Sequence, residues 1–367
     1  MAIPTLTEGT LYIDRDRDVR TGEWGPYVKI GIVRDKKTPE QRVKELQTGN
    51  PRRVHTVKTY SSPMVESLET RLHHNFATMW VRGEWFEMNE NFVNNELDQH
   101  IRTYIEEQKE YIEYYRQREE LKSTESNGTV REPTEVEKEL HAKYIEVKVR
   151  NDVLKAQSQI LKAKLMAEMG QGGGVNGILK LVKRTTQQKT TPAHEKFNKK
   201  TFEENYPELY AQLVVISQSA PKGSLTMKNV PALNELDSKL RELEKSSKES
   251  CEEMKVANID NETIDPSEAL KQLHLEHIEL LGEIFNTDLE MERIKSRLAV
   301  ALSDDEGISD ILVWKRVSKT QEKLDPKLVL EEHPEAYNDS LIEIAEKTTP
   351  EKVTIAIEVE KYREYSI

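Results

Sequence analysis

Tyr27-Val28-Lys29-Ile30-Gly31, then Arg42, then Lys44-Glu45-Leu46-Gln47-Thr48-Gly49-Asn50-Pro51, then Glu69-Thr70-Arg71-Leu72-His73, then Gly83-Glu84-Trp85-Phe86: this ordered set decides the fold of the front of the chain. The first block reads as a strand, bounded by turn residues, and Thr10–Ile13 and Arg53–Tyr60 are two further β-branched or aromatic runs. Thr38-Pro39-Glu40-Gln41 is a capping box with proline at the first helical position, so a helix starts there and carries Arg42. Ser62-Pro63 reads as the start of a second helix, with Val65, Leu68, Leu72 and Phe76 at helical spacing as its buried face. Three of the four tryptophans, Trp24, Trp80 and Trp85, fall in the same 90 residues. Together these predict a compact α/β unit ending near residue 100.

The same residues suggest chemistry. On a strand, Tyr27, Lys29 and Gly31 share one face, and Gly31 would leave the backbone open to a close-approaching substrate. Glu69 and His73 stand one helical turn apart at the edge of the apolar stripe. One glutamate suits a hard cation such as Mg²⁺, which is otherwise held by water and phosphate oxygens. Arg42 offers a planar fork for phosphate. Each has a structural reading as well. Arg42 and Glu69 fit the surface of amphipathic helices, and Tyr12 and Tyr27 fit a core with their hydroxyls at a rim. His73 and its neighbour His74 divide between site and helix surface. Gly49-Asn50-Pro51 reads as a turn, and Glu84, Trp85 and Phe86 as a lock between the last helix and the sheet.

Gly9-Thr10-Leu11-Tyr12, Lys29-Ile30-Gly31, Arg42 and Glu69 together resemble the GIY-YIG nuclease superfamily. The likeness is greatest to a divergent phage and viral branch carrying Lys-Ile-Gly, Leu-Gln-Thr-Gly-Asn-Pro, Glu-x-x-Leu-His and Gly-Glu-Trp-Phe, and it covers about residues 8–90. The resemblance implies a small antiparallel sheet flanked by helices that cuts DNA with one divalent metal, Mg²⁺ or Mn²⁺. Glu69 would bind that metal, Arg42 would hold the scissile phosphate, and Tyr12 would line the site. Enzymes of the main branch place a tyrosine where this chain has Lys29. Lys29 acts as a base if burial or nearby cations depress its pKa. Otherwise it is a second phosphate-binding cation, the favoured role, and metal-bound water or Tyr27 supplies the activation. The candidate catalytic set is Tyr12, Tyr27, Lys29, Arg42, Glu69 and His73.

The chain has 367 residues, enough for two or three domains, with 36% hydrophobic and 33% charged residues and a net charge of −12. Residues 1–105 balance fifteen basic against fifteen acidic residues, so the whole acidic excess lies behind them. A single cysteine, Cys251, excludes an intrachain disulfide and a multi-cysteine zinc site, and favours a reducing compartment. With no bilayer-spanning apolar run and no basic-then-apolar start, the expectation is a soluble protein with no membrane partner, in the cytoplasm of an infected or prophage-bearing bacterial host.

Behind the front domain the chain repeats itself. Pro133-Thr134-Glu135 matches Pro266-Ser267-Glu268, Leu140-His141 matches Leu273-His274, Ile145-Glu146 matches Ile278-Glu279, and Gly174 matches Gly307, all without a gap. Leu181-Val182-Lys183-Arg184 echoes Val313-Trp314-Lys315-Arg316. At a slightly smaller offset, Lys200, Glu204, Pro207, Glu208 and Tyr210 match Lys327, Glu331, Pro334, Glu335 and Tyr337. Each copy reads as a long helix, a glycine turn, a short strand and a Pro-Glu-x-Tyr helical segment. This pattern also resembles the tail segment of phage recombination exonucleases of the lambda-exonuclease type. Their catalytic core is missing, so this likeness implies a viral setting and no activity.

The expected division is residues 1–105 as the nuclease-like domain, 106–132 as a helical linker with a hinge at Ser123–Gly128, and 133–213 as the first repeat. Residues 214–265 follow as a connecting amphipathic helix with Leu233, Leu236, Leu240 and Leu243, and 266–367 as the second repeat. Val353, Ile355, Ile357 and Val359 form a terminal strand there. Lys180, Lys183, Arg184, Lys189, Lys196, Lys199 and Lys200, interleaved with Phe197, Phe202 and Tyr206, are candidate nucleic-acid contacts. The fold class is α+β, an antiparallel sheet with helices ahead of a mainly helical duplicated half. The expected function is a phage-type, metal-dependent DNA endonuclease whose repeats position DNA or recruit a protein partner. The alternatives are a catalytically silent DNA-binding module of the same fold and a phage–host interaction protein.

Overall fold

The computed structural model describes residues 6–34, 37–48 and 50–361; Gly49 of the expected turn lies outside them. The protein is α+β. Its front domain holds β1 (Gly9–Arg17), β2 (Trp24–Arg34), α1 (Pro39–Gln47), β3 (Arg53–Ser62), α2 (Val65–Asn75), β4 (Trp80–Arg82), β5 (Trp85–Glu87) and the one-turn α3 (Glu90–Phe92). The five strands form one antiparallel sheet in the order β3-β1-β2-β5-β4. Thr38 and Gln41 cap α1 reciprocally, as the sequence predicts. Val65, Leu68, Leu72 and Phe76 of α2 are all buried against Leu11, Ile13, Val28 and Ile30 of the sheet. The Ser62-Pro63 start is early by two residues. Sheet pairing with Gly9 keeps Ser62 extended, its hydroxyl accepts the Met64 N–H at 3.0 Å, and the helix begins at Val65.

The next elements are α4 (Asp98–Leu121), β6 (Val130–Arg131), α5 (Glu135–Met169), β7 (Gly174–Val175), β8 (Leu179–Thr186), β9 (Lys189–Thr191), β10 (His194–Phe197), α6 (Lys199–Asn205), α7 (Pro207–Leu213), β11 (Val215–Gln218) and β12 (Thr226–Met227). After these come α8 (Leu233–Leu236), α9 (Ser238–Asn258), β13 (Thr263–Ile264), α10 (Glu268–Leu302), β14 (Gly307–Ile308), β15 (Leu312–Val313), β16 (Thr320–Lys323), α11 (Pro326–Glu332), α12 (Pro334–Asn338), β17 (Leu341–Ile344), β18 (Lys347–Thr349) and β19 (Lys352–Val359). Both α5 and α10 have 35 residues, about 52 Å of helix. Thr134 and Ser267, from the matched Pro-Thr-Glu and Pro-Ser-Glu triplets, are their N-caps. Both helices end on a residue of positive φ, Gly170 at 63° and Ser303 at 56°.

α5 and α10 lie antiparallel along their length, with ion pairs Lys143–Glu290 (3.0 Å) and Arg150–Glu283 (2.9 Å). Asn151 is fully buried at the seam, and its Nδ2 donates to Thr287 Oγ1 (2.7 Å) and Asp288 Oδ1 (3.0 Å). From the two ends of this pair, matching elements cross over. β13, which leads into α10, pairs with β7, which follows α5; β6, which leads into α5, pairs with β14, which follows α10. The strands beyond do the same. β8, β9 and β10 pair with β19, β18 and β17, and β15 and β16 pair with β12 and β11. Each two-stranded ribbon thus takes one strand from each half. The ribbons are mostly exposed on both faces away from the helices. They meet where α6, α7, α11 and α12 bury Phe202, Tyr210, Val329 and Ala336 together.

Several expected roles change. Residues 106–132 belong mostly to α4, which begins in the front-domain core with Ile101 and Tyr104 and ends on α10, where Arg118 pairs with Glu292 at 2.8 Å. The Ser123–Gly128 segment is tied down: Ser126 N–H donates to Arg316 O (3.0 Å) and Asn127 N–H to Asp304 O (2.8 Å). The Arg316 guanidinium, fully buried, closes the same corner by donating to Leu121 O (3.2 Å) and Ser303 O (2.6 Å). Leu236 and Leu243 are exposed, so α8 and α9 present no continuous leucine seam. Phe197 stacks on Tyr337 at 5.0 Å and Phe202 is fully buried, which leaves these rings to the ribbon tip rather than to nucleic-acid bases. The terminal strand is β19, and it completes the ribbon of β8 in the first half. Among the described residues no helix is long and apolar enough to cross a membrane.

Ser303 holds a left-handed conformation that its counterpart Gly170 adopts without a Cβ. Ser303→Gly is therefore expected to raise stability by about 0.5–1 kcal/mol, read as an increased denaturation midpoint at unchanged m-value.

Candidate active site on the N-terminal sheet

The period-two alternation of the central strands separates a dry face from a polar one. Leu11, Ile13, Val28 and Ile30 face α2 and the core. Tyr12 and Asp14 on β1 face the other way, directly opposite Gly31 and Lys29 on β2. The polar face is also buried: Tyr12 and Asp14 are 0% exposed and Lys29 5%. Gly31 is needed here because the Tyr12 ring covers it. A Cβ at position 31 would stand 2.5 Å from the Tyr12 hydroxyl oxygen and 2.6 Å from Cζ. The space above Gly31 is thus filled by Tyr12 rather than left for a substrate.

Charged groups converge around this pair. Arg42, in the first turns of α1, brings its guanidinium beside the Tyr12 hydroxyl, which makes no well-formed hydrogen bond, and pairs with Glu45. Burial is the main cause that pushes the Tyr12 phenol up to about 12, so it stays protonated at neutral pH. Lys29 Nζ pairs with Glu84, which the β4–β5 turn holds next to the sheet. Asp14 accepts from Thr56 Oγ1 at 2.7 Å. Its carboxyl is raised, by burial above all, although Thr56, Lys29 and Arg42 pull it down.

Glu69 stands on the edge of α2 with no hydrogen bond or ion pair recorded among the described residues. Burial first, and then the negative charge of Glu84, push its carboxyl up to about 7, against smaller opposing effects of Lys29 and Arg34. Arg34, at the end of β2, pairs with Glu66 one turn before Glu69. His73, one turn after it, serves the core. Its Nε2 donates to Ile30 O at 3.0 Å, its ring lies 5.2 Å from Phe86, and burial lowers its pKa. His74 turns toward α10 and Phe285, with burial lowering it to about 4. Tyr27 is 41% exposed on β2 and stands across from Glu87, outside the buried cluster.

The structure therefore gathers Tyr12, Lys29, Arg42 and Glu69, assigns His73 to the helix–strand clamp, and leaves Tyr27 at the margin. Sequence reasoning missed Asp14, Arg34 and the central place of Glu84. Asp14 was legible in principle, because it lies two residues after Tyr12 on the same strand face. Glu84 owes its place to the β4–β5 turn, which closes the sheet only in three dimensions. Among the described residues no group of three or more His, Cys, Asp and Glu forms a metal cage. The residues still fit a Mg²⁺ ion bound jointly with substrate: Glu69 offers a hard oxygen donor without a cation of its own, beside the second carboxylate of Glu84.

The Glu69 carboxyl binds its proton more tightly in the fold than its ordinary value of 4.5 allows. Between about pH 4.5 and 7 the native state therefore holds more protons than the unfolded chain, and stability falls as pH rises. Glu69→Gln is expected to be more stable than wild type at pH 8 by on the order of 1–2 kcal/mol in chelator, and equal to it near pH 4. Urea denaturation across that range measures the difference. Gly31→Ala is expected to cost about 1–3 kcal/mol by the same method, because Tyr12 must be displaced.

Residues 9–105, the whole sheet with α1, α2 and the start of α4, match the T5orf172 domain, a phage-associated, nuclease-like domain family. No curated protein and no solved structure matches the chain.

Proposed function

We propose that the front domain hydrolyses DNA phosphodiester bonds with one divalent cation, Mg²⁺ or Mn²⁺, in the manner of the GIY-YIG nucleases. The observation that carries this reading is Glu69, a half-buried carboxylate without an ion-pair partner among the described residues, near Lys29 and Arg34 of β2 on the domain whose helix α1 carries Arg42. Lys29 and Arg34 are already paired with Glu84 and Glu66, so a divalent cation held at Glu69 together with a substrate phosphate would compensate the carboxylate that has no cation. The match to a phage-associated, nuclease-like family supports the same class of substrate.

Glu69 would hold the metal, with Glu84 as the neighbouring carboxylate. A divalent cation there supplies polarisation of a phosphate oxygen and lowers the pKa of water. Arg42 exchanges its surface pairing with Glu45 for a bidentate grip on the phosphate, stabilising charge that builds on the phosphorus oxygens. Tyr12, protonated at neutral pH, is a hydrogen-bond donor next to Arg42 rather than a base. Lys29, tied to Glu84, sets the position of that carboxylate and contributes positive potential from beneath. A groove between α1 and β3, with Lys44, Arg52 and Arg53 on its walls against the single acid Glu40, extends the basic surface away from Arg42. A second reading, a silent DNA-binding module, is favoured by the Lys29–Glu84 pair, which occupies both groups without substrate.

Supercoiled plasmid with Mg²⁺ or Mn²⁺ tests the proposal. Wild type is expected to nick it, chelator to stop the reaction, and Glu69→Ala and Arg42→Ala each to lose about 100-fold or more in rate while keeping their circular dichroism. Glu69 would have to lose its proton to hold a cation, so the rate at limiting Mg²⁺ is expected to rise with pH up to about 7 and then level. Folded wild type that binds DNA and never cuts it would select the silent module.

A further inference from the structure

The basic run expected to hold nucleic acid is largely neutralised. Lys180 pairs with Glu360 (2.5 Å), Arg184 with Glu358 (2.7 Å), Lys183 with Asp260 (3.6 Å), Lys199 with Glu322 (3.5 Å) and Lys200 with Glu204 (3.5 Å). Within that run, Lys189 and Lys196 alone have no acidic partner among the described residues.

The opposite ribbon, β11 and β12 against β15 and β16, differs. Residues 215–228 carry Lys222 and Lys228 and no acid, and residues 312–323 carry Lys315, Arg316, Lys319 and Lys323 against Glu322 alone. Five of these cations are exposed, Arg316 being the buried one. Lys315 has a long pairing to Glu306 at 3.6 Å, whereas Lys222, Lys228, Lys319 and Lys323 have no acidic partner recorded among the described residues. In a chain of net charge −12 this is a local excess of one sign.

The excess is ordered as well. Lys315, Val317, Lys319 and Gln321 line one side of the ribbon, and on β16 strand alternation adds Lys323 to the face of Gln321. Lys222, paired with Val317 across the ribbon, joins them. The face opens into a cleft of about 730 Å³ that also presents Ser219 and Gln321. The backbone beneath is stiff. Ser219 N–H donates to Lys319 O (2.9 Å) and Lys319 N–H to Ser219 Oγ (3.0 Å). Gly223 lets the strands close, since a Cβ there would lie 2.0 Å from Lys315 O.

We infer that this ribbon face is a binding site for the phosphodiester backbone of DNA, separate from the sheet of the front domain and from the run at 180–200. Ammonium groups set along one cleft, with hydroxyl and amide donors between them, suit repeated phosphates without reading bases. The identity of the polyanion as DNA rests on the function proposed above; the cationic face does not.

The test uses full-length Glu69→Ala protein in chelator, so that binding is read without cleavage, with a fluorescent duplex of about 30 base pairs titrated over a range of salt. Lys222→Ala/Lys319→Ala/Lys323→Ala is expected to weaken binding at least tenfold at about 100 mM salt and to flatten the salt slope by about 2–3. The corresponding arginine triple variant is expected to retain binding. Lys180→Ala/Arg184→Ala on the other ribbon is expected to change it less than about twofold. Unchanged affinity in the alanine triple variant, or no binding by the parent protein, would overturn the inference. Competition by inorganic phosphate beyond its effect on ionic strength would also overturn it, in favour of a small-anion site. Loss of binding in the triple variant together with a wild type that never nicks plasmid would leave this site standing and remove the nuclease reading instead.

Discussion

The antiparallel contact between α5 and α10 supports everything else in the molecule. The seam is sealed at its middle by the buried Asn151 amide, which is held by Thr287 and Asp288. A buried amide paired in this way fixes the register of two long helices, since sliding by one turn would leave it without partners. The outer side of α10 in turn receives the front domain. Leu289 enters that domain's core, and Arg293 lies over the Tyr111 ring at 4.5 Å. The register of one helix pair thereby positions both the sheet and the ribbons that leave its two ends.

The site on the sheet depends on a second register, that of β1 against β2. Placing Tyr12 opposite Gly31 also places Asp14 opposite Lys29, and a one-residue slip of β1 would turn Tyr12 and Asp14 into the core. Charge is then compensated in pairs, Lys29 with Glu84 and Arg34 with Glu66, which leaves Asp14 held by Thr56 and Glu69 with no partner among the described residues. Its raised carboxyl follows from having no partner of its own in a half-buried position.

Much of this was legible in the chain. The capping box at Thr38, the α2 stripe and the three long strands follow from local patterning, which acts over a few residues and leaves its mark there. The matched helix starts at Thr134 and Ser267 were legible for the same reason. What could not be read was any feature set by distant partners. Lys180 and Arg184 look like a free basic patch until Glu360 and Glu358 are brought alongside from nearly two hundred residues away. Conversely, the alternation of Lys315, Lys319 and Lys323 was present in the sequence, but the acidic residues around it concealed that its partner strand carries no acid at all. His73 was placed in the site on spacing alone. Its Nε2 turned instead to the nearest buried carbonyl, a choice that depends on how α2 rolls against the sheet.

The crossed strands set a timetable for the growing chain. β8 emerges from the ribosome with only Leu179 and Lys180 paired, to β7, and its long partner β19 lies about 170 residues further on. At ordinary synthesis rates that is a delay of roughly 10 to 35 s. Through that interval an unpaired strand is open to association with other chains. Lys180, Lys183 and Arg184 along β8, later paired with Glu360, Asp260 and Glu358, would keep such nascent strands apart by mutual repulsion before they serve the finished ribbon.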